Sequence, residues 1–138
     1  VEPEIWLSQI VDDAQRAGQQ VELVSVEGQG TVMLRPSAMR RAVENLIGNA
    51  IRYGSRAEVS LSMTPKSIRV RVEDDGPGLT RAEREKAVQR GQRLDETKPG
   101  SGLGLSIVAD LAHLYKGHFT LDDARDGGLS ARLTLPAA

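Results

Sequence analysis

The chain contains no cysteine, which excludes disulfide bonds and catalysis by a thiol. Aromatic residues make up only 3% of its 138 residues, and no apolar run approaches the roughly 20 residues that a membrane-spanning helix needs. An excess of one charge is also lacking, because the formal net charge is -1 and the basic residues are spread along the chain. These absences argue against binding to nucleic acid or to a membrane surface, and we expect a soluble chain without a signal peptide.

The residues that are present indicate one globular domain over 1–138 with a single core. Apolar residues at helical spacing predict four helices, over 3–18, 37–54, 79–91 and 105–117. Alternating apolar and polar residues predict five or six strands, over 19–26, 28–36, 57–63, 67–75, 118–123 and 129–136. The segment 28–36 is the expected hairpin partner of 19–26. This order favours a mixed, mainly antiparallel sheet with helices packed on one face.

One of these strands ends on two acids, in the segment VEDDGPG. Glycine lacks a Cβ, so Gly76 and Gly78 would let a flat ligand approach the main chain. Asp74 could accept a hydrogen bond from an amino group such as N6 of adenine. Considered alone, the segment also fits a tight turn in which Asp75 and Pro77 merely break the strand.

A second glycine group, PGSGLGL, precedes a predicted helix. Its glycines would let successive backbone N–H groups face a concavity, and the partial positive charge of the helix N-terminus favours an anion such as phosphate. The spacing matches neither a P-loop nor a dinucleotide-binding G-x-G-x-x-G motif after a strand. The polar, glycine-bearing segment 92–104 predicts a mobile loop that leads into this helix.

The most regular predicted helix carries two asparagines four residues apart, Asn45 and Asn49, which share one face. Their amide oxygens could coordinate a hard cation such as Mg²⁺ together with phosphate oxygens and water. Arg52, one turn further, could reach a phosphate, and Tyr53 could lie against a base. Taken singly, the asparagines also fit the solvated face of a helix. We expect this helix to end at Gly54 in the left-handed conformation.

Together, these segments resemble the N, G1 and G2 boxes of the GHKL ATP-binding superfamily, in the same order along the chain. The resemblance spans about residues 37–135. The segments VEDDGPG, RGQRLD and GSGLGLSIVADL are similar to the catalytic domains of EnvZ-like and PhoQ-like sensor histidine kinases. The resemblance implies a two-layer α/β sandwich of the Bergerat type, in which ATP lies between the helical layer and a lid over about 91–100.

The resemblance also implies roles for the motif residues. Asn49 would be the principal Mg²⁺ ligand, Asn45 would support the metal and the phosphates, and these two are the implied catalytic residues. Asp74 would bind the adenine amino group. The other residues implied in ATP binding are Arg52, Tyr53, Gly76, Gly78, Arg93, Lys98, Gly100, Ser101, Gly102, Leu103, Gly104 and Leu105. Among these, Arg93 and Lys98 lie in the lid, where a solvated basic loop is the alternative.

Two features of histidine kinases are missing. The family's F box usually has two phenylalanines between the glycine boxes, whereas the whole chain has only Phe119. The family's acceptor histidine lies in H-[ED]-[LIV]-[KR]-x-P, and neither His113 nor His118 has those surroundings, so we expect both to be structural. The acceptor would then lie on a dimerisation domain that, like the sensor domain, is absent from this chain.

The resemblance leaves a kinase, a hydrolase and a binding module as alternatives. Hydrolases of the superfamily, such as gyrase B, Hsp90 and MutL, activate water with a glutamate one helical turn before the metal asparagine. Here that residue is Asn45, and an amide cannot act as a general base. Glu44 should face elsewhere, because one residue along a helix rotates the side chain by about 100°. We therefore expect ATP:protein-histidine phosphotransfer, with a GHKL-type hydrolase or a catalytically silent regulatory module as alternatives.

The implied partners follow from the same resemblance. They are ATP, the histidine-bearing dimerisation domain of the same kinase and, indirectly, a response regulator, with no nucleic acid. The resemblance implies a cytoplasmic domain of an inner-membrane-anchored bacterial sensor kinase, monomeric when isolated.

Overall fold

The structure, a computed structural model, describes residues 2–33, 35–77, 80, 82, 103–124 and 128–137, with residues 53, 103, 104 and 106 described by their backbone alone. Its elements are, in order, α1 (Pro3–Arg16), β1 (Val21–Glu27), α2 (Pro36–Tyr53), β2 (Ala57–Met63), β3 (Ser67–Asp74), α3 (Leu103–Leu114), β4 (His118–Asp123) and β5 (Leu129–Pro136). The helix predicted over 79–91 and the lid over 91–100 fall, apart from residues 80 and 82, outside this part of the chain. None of the described helices combines the length and apolar character needed to cross a membrane.

The five strands form one mixed sheet in the order β1-β2-β3-β5-β4. β1 pairs with β2 in parallel, and all other neighbouring strands pair antiparallel. The prediction of a mixed, mainly antiparallel sheet is therefore confirmed. β3 occupies the centre, with β2 and β5 on either side, so the acids at its end are held between two neighbouring strands.

The hairpin expected between 19–26 and 28–36 is wrong. The described residues between β1 and α2 belong to no strand, and β1 pairs with β2 instead. The apolar signal in 28–36 has another cause, since Val32 is buried in the core and anchors this connection. β1 also contains an irregularity at Val24, where its register against β2 shifts by one residue. This bulge explains why the apolar residues of β1 do not alternate regularly.

α1 begins at Pro3, whose fixed φ suits the first turn of a helix. Its inner face buries Leu7 and Ile10 in the core. On its outer side, Asp13 accepts a hydrogen bond from Arg40 of α2, with Oδ2 and Nη2 2.5 Å apart. Both side chains are exposed, so solvent screens this ion pair and it adds little to stability. The burial of apolar residues therefore dominates the attachment of α1.

The helical layer is completed by α2 and α3, which pack against each other. The apolar face predicted for α2 is confirmed, because Met39, Val43 and Leu46 are buried. The hydroxyl of Tyr115, just after α3, accepts the N–H of Arg35, just before α2, at 3.0 Å. α2 thus lies between α1 and α3 in the helical layer and packs on β2 and β3, with its C-terminal end near the end of β3.

α2 ends at Gly54, but the left-handed conformation expected there is wrong. Gly54 has φ -113° and ψ -156°, which is extended backbone open to any residue. Glycine is needed there for space instead, because a Cβ would lie 2.5 Å from Oδ1 of Asp75 and 2.9 Å from the amide nitrogen of Gly76. The end of α2 is therefore pressed directly against the segment that follows β3.

Candidate nucleotide site

Asp74, the last residue of β3, is a buried carboxylate with 8% of its surface exposed. Its Oδ1 accepts the N–H of Gly76 at 2.8 Å and the N–H of Leu129 at 3.2 Å. Burial raises the pKa of Asp74, and the charges of Asp75 and Glu73 act in the same direction, whereas the two N–H donors oppose the rise. Both hydrogen bonds among the described residues fall on Oδ1, so Oδ2 is the oxygen suited to an external donor.

Gly128 packs against the candidate site, although it belongs to none of the three motifs. A Cβ at this position would lie 1.9 Å from the carbonyl oxygen of Asp74 and 2.7 Å from its Oδ1. The backbone of residue 128 thus packs directly on Asp74 and leads into Leu129, which donates to the carboxylate. In the sequence, Gly128 is one of two adjacent glycines in an ordinary turn, so no local signal connected it to Asp74.

The asparagines of α2 differ in their environment. Asn49 is buried, with 8% exposed, whereas Asn45 is half-buried. Nδ2 of Asn49 is buried and has no hydrogen-bond partner in the part of the chain described. A buried polar atom without a partner costs about 1–3 kcal/mol, so its retention favours a role with a ligand. The amide can be turned about its last bond, which would present either its oxygen or its NH₂ group.

The asparagines, and not a cluster of acidic side chains, are the candidates for holding a hard cation. Within the described ranges, no group of three or more His, Cys, Asp or Glu side chains could hold a metal ion. An amide oxygen of Asn49, with phosphate oxygens and water, forms the oxygen-only set that Mg²⁺ prefers. The residues present therefore fit a cation bound jointly with a phosphate-bearing ligand.

Two other predicted residues have described surroundings. Arg52 is exposed in the last turn of α2, one turn beyond Asn49. Leu105 is 1% exposed, so its side chain belongs to the core, and only its amide could meet a ligand. The backbone of Leu103 to Leu105 forms the first turn of α3, where N–H groups lack acceptors within the helix.

The remaining predicted residues lie outside the described residues, or are described only in part. Tyr53, Leu103 and Gly104 are described by their backbone alone. Those outside altogether are Gly78, Arg93, Lys98, Gly100, Ser101 and Gly102. Their roles therefore stay predictions.

Asp75 is a further residue whose importance the sequence did not reveal. The interpretation of Asp75 as a simple strand breaker is insufficient, because its carboxylate accepts hydrogen bonds from Ser55 and Arg56, which follow α2. The end of the asparagine helix is thereby bound to the segment that carries Asp74 and Gly76. The structure thus brings the end of the asparagine helix and the segment of Asp74 and Gly76 together at one end of the sheet.

Comparison with known proteins identifies the family. A model described as "Histidine kinase-, DNA gyrase B-, and HSP90-like ATPase" matches residues 34–138. The chain belongs to this family. The match includes every motif of the site, from the asparagines of α2 to the N-terminus of α3. The recognition drawn from the motifs is therefore confirmed.

Curated relatives of this chain include sensor kinases. Sensor histidine kinase GtrS of Pseudomonas aeruginosa is 39% identical over 102 residues, which are 74% of this chain and 22% of the relative. Sensor histidine kinase CpxA of Escherichia coli is 30% identical over 142 aligned positions, covering 96% of this chain and 31% of the relative. The chain thus spans less than a third of the length of these relatives.

Solved structures confirm the fold. The ATP-binding domain of PrrB from Mycobacterium tuberculosis matches 100% of this chain with a TM-score of 0.83 and 27% identity, and 96% of that domain is covered. The histidine kinase domain of the Escherichia coli osmosensor EnvZ matches with a TM-score of 0.77 and 32% identity, covering 100% of this chain and 88% of that domain. The chain has the fold of a histidine kinase ATP-binding domain.

Proposed function

We propose that this chain is the ATP-binding catalytic domain of a two-component sensor histidine kinase. It binds Mg-ATP and donates the γ-phosphoryl group to a histidine on a separate dimerisation domain of the same kinase. The observation that carries this proposal is the buried carboxylate of Asp74, fixed by two backbone N–H groups beside the helix that carries Asn49. The domain would act in the cytoplasm, and a response regulator would accept the phosphoryl group from the kinase.

Asp74 is suited to recognise adenine. The N–H groups of Gly76 and Leu129 hold Oδ1, so the carboxylate is oriented before a ligand arrives. An ionised carboxylate only accepts hydrogen bonds. Adenine offers a donor at N6, whereas guanine carries the acceptor O6 at the corresponding position. The site should therefore favour adenine nucleotides over guanine nucleotides.

The polar face of α2 and the start of α3 are suited to the triphosphate. Asn49 would hold Mg²⁺, which supplies neutralisation of the charge that develops on the phosphates during transfer. Asn45 lies one turn earlier on the same face, and Arg52 offers a positive charge one turn later. The N–H groups in the first turn of α3 favour an anion. These residues would orient the γ-phosphoryl group for an incoming nucleophile.

The surroundings of α2 favour phosphotransfer over hydrolysis. Asn45 occupies the position one turn before Asn49 and cannot take a proton from water. The neighbouring Glu44 is exposed and accepts a hydrogen bond from Nε of Arg40 at 3.4 Å, on another side of the helix. A neutral imidazole can attack phosphorus through its lone pair as the bond to ADP breaks, so it does not need this base.

The nucleophile would come from outside this chain. His113 lies exposed near the end of α3, and His118 lies exposed at the start of β4. Neither residue belongs to the end of the sheet that carries Asp74, because His118 pairs with Thr134, near the far end of β5. The nucleophile would therefore be a histidine of the separate dimerisation domain.

The proposed function is tested first by calorimetric titration with a non-hydrolysable ATP analogue, with and without Mg²⁺. We expect one site per chain and tighter binding with Mg²⁺. Asp74→Asn should weaken binding by about tenfold or more, since a hydrogen bond to a charged acceptor is lost. Asp12→Asn, which neutralises an exposed carboxylate on α1, is the matched control and should bind normally. Absence of binding by the unaltered chain would refute the proposal.

A second experiment separates the kinase from the hydrolase. The chain is incubated with γ-labelled ATP and the histidine-bearing dimerisation domain of the same kinase. Label on a histidine of that domain, with little ADP formed by the chain alone, is the expected result. Steady ADP production without the partner domain would favour the hydrolase instead.

A further inference from the structure

The carboxylate of Asp75 holds the connection between α2 and β2. Its Oδ1 accepts the N–H of Ser55 at 2.7 Å and the N–H of Arg56 at 3.1 Å, and its Oδ2 accepts the hydroxyl of Ser55 at 2.6 Å. The Ser55 hydroxyl and these N–H groups hold the pKa of Asp75 far below its usual range. Asp75 is therefore ionised at physiological pH and acts as a permanent acceptor.

Regular secondary structure leaves this connection unsupported. The last backbone hydrogen bond of α2 runs from the N–H of Gly54 to the carbonyl of Ala50, at 2.8 Å. The ladder between β2 and β3 begins only at the pair of Ala57 and Asp74. Residues 55–56 lie between these two supports, and among the described residues Asp75 supplies the acceptor for both of their N–H groups. One side chain thus replaces the hydrogen bonds that the helix and the strand do not provide.

The same contact has little room to adjust. A Cβ on Gly54 would lie 2.5 Å from Oδ1 of Asp75, so the helix end already touches the carboxylate. Asp75 is also covalently bound between Asp74 and Gly76, the two residues proposed to face the base. A shift of the end of α2 would therefore be transmitted directly to the segment that reads adenine.

We propose that Asp75 is a positioning residue for nucleotide binding, which fixes the distance between the base-reading Asp74 and the phosphate-side residues of α2. The inference rests on the proposed function and assigns Asp75 no contact with the nucleotide. Its mechanism is geometric: the carboxylate holds Ser55 and Arg56, and these hold the last turn of α2 with Arg52. Asn49 lies one turn earlier on the same rigid helix.

A positioning role predicts a specific pattern of affinities. Adenosine occupies only the base side of the site, whereas an ATP analogue with Mg²⁺ occupies the base and phosphate sides at once. Joining two parts in one ligand raises affinity only when the two subsites lie at the matching distance. Loss of the Asp75 contact should therefore weaken binding of the analogue much more than binding of adenosine. A residue that merely ended the strand would not alter the ratio of the two affinities.

The test measures both affinities by calorimetry, with adenosine measured in competition if needed, well below the unfolding temperature of each variant. Asp75→Ala should lower the affinity for the Mg²⁺-bound analogue by about tenfold and the affinity for adenosine by less than about threefold. Ser55→Ala, which removes one of the three hydrogen bonds, should shift the ratio in the same direction by less. Asp75→Asn should keep the wild-type ratio, because its oxygen still accepts both N–H groups and its NH₂ can donate to Ser55.

Asp13→Ala is the matched control, since it removes another exposed carboxylate that joins two elements, α1 and α2. Its affinity ratio should equal that of the unaltered chain. An unchanged ratio in Asp75→Ala, or an Asp75→Asn variant as weak as Asp75→Ala, would overturn the inference. If Asp75→Ala does not fold, Ser55→Ala decides, and a wild-type ratio there overturns the inference as well. Failure of the unaltered chain to bind either ligand would overturn the proposed function and this inference with it.

Discussion

Replacing Asp74 by asparagine should weaken nucleotide binding without lowering the stability of the fold at neutral or higher pH. The asparagine keeps an oxygen that can accept the N–H groups of Gly76 and Leu129, so the local backbone should be preserved. Its other group is an NH₂, which cannot accept a hydrogen bond from an adenine amino group. A hydrogen bond to a charged acceptor contributes about 1.5–3 kcal/mol, which corresponds to a loss of roughly 10- to 150-fold in affinity.

The same substitution should not lower stability at neutral or higher pH. Burial raises the pKa of Asp74, so the folded chain holds this proton more tightly than the unfolded chain does. Stability from this group is present at low pH and is lost as the pH rises through the raised pKa, above which the buried charge opposes folding. Asparagine does not ionise, so the variant does not lose this stability as the pH rises. The variant should therefore unfold at the same or a higher temperature than the wild-type chain at pH 8.

The assay combines calorimetric titration of the ATP analogue with thermal unfolding at pH 4 and pH 8. We expect weaker binding by the variant. We also expect its unfolding midpoint, relative to that of the wild-type chain, to be higher at pH 8 than at pH 4. Asp12→Asn is the control, since its carboxylate is exposed and should show neither effect. A lower midpoint at pH 8 with unchanged affinity would refute the reasoning, because Asp74 would then be a structural acid.

Three further substitutions test the neighbouring contacts. Asn49→Ala should weaken Mg²⁺-dependent binding by about tenfold in calorimetry, yet cost less than about 1 kcal/mol in urea unfolding, because its Nδ2 has no partner among the described residues; a large loss of stability would contradict this. Gly48→Ala should raise the free energy of unfolding by about 0.5–1 kcal/mol, since a Cβ there meets no atom within 4 Å inside a helix; an unchanged urea midpoint would count against it. Gly128→Ala should destabilise by about 1–3 kcal/mol and weaken binding, because its Cβ would lie 1.9 Å from the Asp74 carbonyl oxygen. A wild-type unfolding midpoint would show that the turn can move aside.

The parts of the fold that sequence reasoning predicted are those with a strong periodic signal. The apolar face of α2 and the alternation in β2 and β3 follow directly from burial on one side, so their type and extent were predictable. The partner of β1 was not, because a parallel pairing with β2 across a long connection leaves no local signal, whereas a nearby apolar segment suggests a hairpin. Val32 supplied that suggestion, although it is buried as an anchor and not as part of a strand.

In the candidate site, too, residues with a local sequence signal were predictable and residues that depend on distant contacts were not. Asp74 and Asn49 were predictable because each belongs to a short motif whose chemistry and spacing are visible in the sequence. Gly128 and Ser55 were not, because their importance depends on contacts with residues 54 and 20 positions away, at Asp74 and Asp75 respectively. The sequence correctly predicts that the helix ends at Gly54, but glycine is required there by the limited space beside Asp75 and not by a left-handed conformation.

The site concentrates polar groups that do not stabilise the unliganded fold. Asp74 has a raised pKa because burial disfavours its charge, and Asn49 has a buried amide nitrogen without a partner in the described chain. Both are held in place by groups that do stabilise it, including the ionised Asp75 and the apolar face of α2. A ligand that donates to Asp74 and engages Asn49 would satisfy both groups at once, and any ligand that binds only the folded state adds to its stability. The arrangement is therefore better explained by selection for binding an adenine nucleotide than by selection for a stable end of the sheet.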